Sequence, residues 1–326
     1  MGSLNDLKNA GIYNGIENRV CELCTSLSSE IKLTGRFFYL KFRNKCITEK
    51  EFAKFTYDKI MRYCIPRKKL SDAFRKFRET NEERYINDLQ DQARNLFVKS
   101  IEKHGAHLGE PGELILFILL EAFFNAPQIA CKMYLKTSEK MAVHGSDSVH
   151  IKMDENSENL TLIWGESKLY SILSKAFDEA LKSIKSFVSI DSDSGRAPKE
   201  RDIDIIKDMP DVDNDEMKHE LYDYFDPYSE KSNKWSEEFF CMIGFDYDLY
   251  KKLPNMKDDE LEIFFASRYM SKIEKAFKNF EEKILQENLE HLEFKLILLP
   301  FESVENFRKE FYNLLGVNIK CQEGKK

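Results

Sequence analysis

The run PGELILFILLEAFFN (111–125) constrains the fold most, because only Glu113 and Glu121 in it are charged. Proline near a first turn suits a helix start, and the apolar residues fall on every side of the helix that follows. Such a helix has to be covered all round. Three strand candidates come next: IACKMYLK (129–136), DSVHIKM (147–153) and LTLIWGESK (160–168), the last two joined by the turn cluster DENSEN. In SILSKAFDEALKSIKSFV, residues Ile172, Leu173, Ala176, Phe177, Ala180, Leu181, Ile184 and Phe187 share one helix face, with Ser171 as the expected cap. EFKLILLPF (293–301) adds a strand apolar on both faces, as central strands are. This order predicts an α/β fold with a central mixed sheet flanked by helices.

Residues 1–95 are expected to form an amino-terminal α/β segment without a chemical motif. RFFYLKF (36–42) predicts a strand, and Thr48 with Glu51 spells a capping box opening one helix through EFAKFTYDKIMRYC, stopped by Pro66. A second amphipathic stretch runs from about Glu83 to His104, followed by the turn-rich AHLGEPGE. Residues 96–326 are expected to form the larger unit, with its core at 111–188 and an acidic, partly mobile insertion at 191–230. A long helix from about Asp259 to His291 and a closing helix opened by Ser303 complete the expectation.

A chain of 326 residues can bury a substantial core without staples. Its seven cysteines are odd in number and mostly scattered, which suits a reducing cytosol better than a disulfide framework. No apolar run approaches the roughly 20 residues of a membrane span. The start MGSLNDLKNAG lacks the regions of a secretory signal, and Asp6 breaks the myristoylation pattern. A cytoplasmic protein with no membrane partner is expected. The net charge of −7 argues against a constitutive, high-affinity nucleic-acid binder. It does not argue against a divalent-metal site, which is itself acidic.

The second and third strand candidates carry the chemistry. Paired as an antiparallel hairpin about DENSEN, opposed residues have numbers summing to 313, so Asp147 faces Glu166, Val149 faces Trp164, Ile151 faces Leu162 and Met153 faces Leu160. That face is apolar except at its open end, where two carboxylates meet at about 5 Å between Cβ atoms. They repel unless a proton or a cation sits between them. Lys168 lies two residues beyond Glu166 on the same face. Carboxylates that hold Mg²⁺ or Mn²⁺ beside an ammonium suit phosphodiester hydrolysis. Gly165 would let a backbone or metal ligand approach closely. Glu113 is the candidate further oxygen donor, through metal-bound water, with Glu121 in reserve. The bland alternative is a surface ion pair at a strand end, since Glu-x-Lys is common in charged chains.

The residues GEPGELILFILLE, GSDSVH, LIWGESKLY and LLPFESVENFRKEF, in that order over about 30–316, resemble the HamA subunit of Hachiman antiphage defence systems, a PD-(D/E)xK-related nuclease. The resemblance implies a restriction-endonuclease-like core within 96–326 and a Mg²⁺-dependent deoxyribonuclease acting on DNA. It also implies a superfamily 2 helicase partner, HamB; activation through that partner is the expectation drawn from setting a nuclease motif beside a net charge of −7. Asp147, Glu166 and Lys168 match the family's catalytic motif, and Glu113 its helix glutamate. Ser146 stands where the motif usually has proline.

Other groupings are weaker. Cys21 and Cys24 with Cys46 and Cys64 lack the second close pair of a zinc site. Asp211, Asp213 and Asp215 begin like a calcium loop, but Glu216 occupies its glycine position. His144 and His150 suit structural or phosphate-contacting roles, and Lys175 a solvated one. No P-loop is present, so ATP chemistry belongs to a partner. Two further readings stand beside the nuclease: a catalytically silent nucleic-acid-binding subunit with a nuclease-like fold, and a subunit whose acidic segment docks a partner.

Overall fold

The computed structural model describes residues 4–7, 13–23, 25–104, 110–136, 145–154 and 157–317. In chain order, β1 (Val20–Glu22), β2 (Leu27–Ser28), β3 (Leu33–Leu40), β4 (Phe42–Arg43) and β5 (Cys46–Ile47) precede a helical stretch. That stretch comprises α1 (Glu49–Tyr57), α2 (Ile60–Cys64), α3 (Arg67–Thr80), α4 (Arg84–His104) and α5 (Glu110–Phe123). Next come β6 (Gln128–Ala130), α6 (Lys132–Lys136), β7 (Ser148–Met153), β8 (Leu160–Tyr170) and α7 (Leu173–Val188). The chain ends with α8 (Pro198–Asp208), α9 (Asp215–Phe225), β9 (Trp235–Asp246), α10 (Asp258–Gln286), β10 (Phe294–Phe301) and α11 (Val304–Leu315).

Eight strands make one mixed sheet in the order β1-β3-β10-β9-β8-β7-β6, with β2 also on β3. Strands β3, β10, β9 and β8 are parallel, and antiparallel strands flank them on both sides. The α/β class with a central mixed sheet flanked by helices is therefore correct. Helix α5, buried along its length as its composition demands, covers one face: Leu116 meets the backbone at Gly165, and Phe124 packs edge-on against Phe240. Helices α7 and α10 cover the other, through Trp164 on Phe187 and Phe280 on Phe294. LILL of β10 is fully buried between β9 and β3.

Several local expectations are corrected. The stretch 129–136 is not a strand throughout: β6 ends at Ala130, and 132–136 form α6. Thr48 makes no capping hydrogen bond, because its hydroxyl donates instead to the carbonyls of Arg19 and Lys41. The helix expected over 51–64 is two helices, and Pro66, rather than only ending a helix, caps the unforeseen α3. Ser171 does not cap α7, whose N-cap is Ile172. The acidic stretch 191–230 contains α8 and α9, which bury Ile206, Met217, Leu221, Tyr224 and Phe225. The boundary placed at residue 95 falls inside α4, and β3 of the amino-terminal segment pairs directly with β10. Strand β9, unforeseen, lies between β8 and β10.

Candidate active site at the open end of a hairpin

Strands β7 and β8 pair in the register that side-chain alternation specifies, with Ser148 opposite Gly165 and Met153 opposite Leu160. Asp147 lies one step beyond the ladder, where its N–H donates to Gly165 O at 2.9 Å. This register brings Asp147, Glu166 and Lys168 to the same end of the sheet. Asp147 Oδ2 accepts from Ser167 N at 2.8 Å and from Ser167 Oγ at 2.9 Å. Glu166 forms an ion pair with Lys168. Burial, and next to it the charge of Asp147, pushes the Glu166 carboxyl well above the usual carboxylate range. Burial would lower the Lys168 ammonium, but the Glu166 and Asp147 charges outweigh it and hold it above the ordinary lysine range.

Glu113 projects from the first turns of α5 and accepts from Tyr63 Oη at 2.7 Å. Burial, then Glu113, lifts the Tyr63 phenol far above its ordinary value, and the charge of Asp147 adds to the rise. Glu121 is committed elsewhere: it accepts from Tyr13 Oη, from Arg67 Nη2 at 3.0 Å and from Gln128 N at 3.0 Å. Eight residues from Glu113, it lies about 12 Å along the helix. The close approach at Gly165 is to Leu116 and Ser148, so this glycine serves helix-on-sheet packing.

Among the described residues, no three His, Cys, Asp or Glu side chains stand together as a ready-made metal cage. In kind the donors fit a hard divalent cation: Asp147 and Glu166 supply oxygens only, and the raised Glu166 carboxyl marks a place where positive charge would relieve like-charge repulsion. Glu113, on α5, is held by Tyr63 and does not join that pair in a three-carboxylate cluster.

A clamp behind Asp147 was not foreseen. Lys132 of α6 and Asp202 of α8 form an ion pair with exposures of 1% and 2%. Lys132 Nζ also donates to Ser146 O at 2.6 Å and Ser146 Oγ at 2.9 Å, and Ser146 N donates to Asp202 at 3.3 Å. Gly145 lies so close to Asp202 that an added Cβ would stand 2.5 Å from its carboxylate oxygens. Both groups therefore fix the two residues that lead into Asp147. The only conceivable signal was a lysine inside an apolar run, IACKMYL, since a buried lysine needs a partner.

The remaining candidates are structural or lie elsewhere. His150 is fully buried against Phe117 with Nδ1 2.7 Å from Ala126 O, on the sheet face opposite Trp164. Asp211 accepts from Arg67 N at 2.7 Å. Cys21, Cys46, Cys131 and Cys241 are free thiols, and Cys64 is buried in the core. Lys175 is exposed. Cys24 and His144 lie outside the described residues, as do 105–109 of the AHLGEPGE turn and 155–156 of DENSEN.

Fold and site define a mixed α/β protein that presents two carboxylates and a lysine at the open end of a sheet hairpin. A family model for HamA matches residues 15–315, and the chain belongs to the HamA family, a component of Hachiman antiphage defence. No curated protein matches it. No helix among the described residues is long and apolar enough to cross a membrane.

Proposed function

We propose that the chain is a metal-dependent DNA endonuclease, the effector of an antiphage complex, activated through a superfamily 2 helicase partner of the HamB kind. The observation that carries this reading is the convergence of Asp147, Glu166 and Lys168 on one strand end, with a buried, proton-attracting Glu166. Asp147 and Glu166 would hold Mg²⁺ (or Mn²⁺), with Glu113 beside them through water. When bound, the ion polarises a phosphoryl oxygen and activates the attacking water. Lys168 keeps its proton at neutral pH and places a positive charge where charge develops on the pentavalent phosphorus. Ser167 holds the Asp147 carboxylate with two hydrogen bonds. Tyr63 donates to Glu113 and fixes that carboxylate on α5.

The test is plasmid cleavage by the complex with Glu166→Ala and, separately, Lys168→Ala. Each variant should lose at least about 10²-fold in rate while keeping its fold and partner. Wild-type cleavage by either, at unchanged stability, sinks the assignment of this site, and no cleavage by the wild-type complex leaves the silent nucleic-acid-binding reading.

A further inference from the structure

Charge is unevenly distributed along this acidic chain. Between Lys59 and Arg78 there are eight basic residues (Lys59, Arg62, Arg67, Lys68, Lys69, Arg75, Lys76 and Arg78) and one acid, Asp72: net +7 in a chain whose total is −7. The stretch folds into α2 and α3. Leu70 and Ala73 turn α3 inward, and Lys68, Lys69, Arg75, Lys76 and Arg78 are exposed.

These cations are not equally available. Arg75 is paired with Asp72 at 2.8 Å and approaches Glu79 at 4.0 Å, and Lys69 donates to Tyr134. Lys68, Lys76 and Arg78 make no ion pair among the described residues, although Lys76 lies over the Tyr85 ring at 5.5 Å. An exposed set of unpaired cations beside an aromatic ring is what a phosphate backbone recruits.

The helix is also firmly mounted. At its first residue, Arg67 N donates to Asp211 at 2.7 Å and Arg67 Nη2 donates to Glu121 at 3.0 Å, both largely buried acceptors. Both neighbouring elements lead to the site: α2, just before it, carries Tyr63, which donates to Glu113. Tyr134, the partner of Lys69, is two residues from Lys132, which clamps Ser146 beside Asp147.

We propose that the exposed basic face of α3, with Lys68, Lys76 and Arg78 as its free cations, grips the phosphodiester backbone of a nucleic acid and leads it to the Asp147–Glu166–Lys168 end of the hairpin. The proposal rests on the nuclease reading for its choice of a polyanionic occupant. With acidic charge over the rest of the chain, a localised basic face also orients the polyanion, because other approaches are repelled.

The test is fluorescence-anisotropy titration of a labelled DNA duplex with the full chain in EDTA, over about 50–200 mM NaCl. The triple variant Lys68→Gln/Lys76→Gln/Arg78→Gln is compared with the wild type and with the charge-conserving Lys68→Arg/Lys76→Arg/Arg78→Lys. The neutral variant should bind about 10-fold or more weakly at the lowest salt. Its slope of log K against log [salt] should be shallower by about 2–3, near 0.9 per lost phosphate contact. The charge-conserving variant should keep the wild-type slope. Equal affinity and slope in the wild type and the neutral variant overturn the proposal, as does absence of binding by the wild type. Loss of partner association with DNA binding unchanged overturns it in favour of a protein-docking face. Glu166→Gln separates the two readings: if neither it nor the wild type cuts DNA when assembled with the partner and given Mg²⁺ and ATP, but both chains bind DNA with the same slope, the grip stands and the nuclease reading falls.

Discussion

Lys132 and Asp202, seventy residues apart, form a buried ion pair one residue away from the proposed catalytic Asp147. The pair is costly to bury and is retained with its hydrogen-bonding capacity spent on Ser146. Removing one partner strands a charge, whereas replacing both by apolar groups leaves nothing to desolvate. Lys132→Met should therefore cost about 3–5 kcal/mol. In urea denaturation, Lys132→Met/Asp202→Leu should recover most of that loss. If the pair positions Asp147, the double variant stays folded and still cleaves at least about 10-fold more slowly, since small misplacements of a reacting group are expensive. Wild-type cleavage by the double variant would make the pair purely structural.

How much of this was legible in the sequence depended on whether the signal was local. The β7–β8 register follows from alternation, because a one-residue slip would turn Val149, Ile151, Leu162 and Trp164 to the wrong face. Helix α5 was legible for the same reason: its apolar residues admit no solvated side. Strand β9 was not, since Glu237 and Glu238 disguise it, and their partners Trp164, Lys199 and Lys295 come from distant elements. The α6 turn was hidden because Lys132 inside an apolar run fits either a strand or a helix until Asp202 arrives from α8. The basic face of α3 lies in a segment where no helix was expected at all.

The proposed ligands offer oxygen only, so the choice of metal should follow ionic size. Mg²⁺ and Mn²⁺ should both support cleavage, whereas Ca²⁺, with longer and looser coordination, should bind without supporting it. Metal removal by EDTA should abolish activity. Full cleavage in EDTA would rule out this chemistry.

Buried His150 links stability to pH. Burial holds its imidazole down at about 3, so it stays neutral in the folded chain, while an unfolded histidine takes up a proton near 6.5. Below that value the unfolded state binds more protons, so this contribution is fully present above pH 6.5 and is lost as pH falls toward 3, by about 1.4 kcal/mol per unit. Glu49 and Asp211, raised by burial to about 7 and about 6, act in the opposite sense: their ionisation costs stability as pH rises. The His150 term is therefore isolated by difference. Between pH 6 and 4, unfolding free energies of His150→Gln should depend on pH less steeply in the acid-labile direction, by about one proton. Parallel curves for the two proteins would show that His150 is not the titrating group.

Control of the proposed nuclease follows from charge and from the family. With 50 basic residues against 57 acidic, the chain alone has little electrostatic hold on DNA at physiological salt, where counterion release weakens every phosphate contact. The exposed cations of α3 can steer a strand that is already near, but a helicase with its own grip can deliver one. On this reading the partner holds the nuclease inactive until it engages and moves on DNA. The isolated chain should therefore cut plasmid slowly at physiological salt, and the complex should cut it only with ATP. Comparing both on one plasmid, with and without ATP and with the partner's ATPase site disabled, checks each part. Cleavage by the isolated chain as fast as by the complex, or a complex indifferent to ATP, refutes gating by the partner even if Glu166→Ala and Lys168→Ala still abolish cutting.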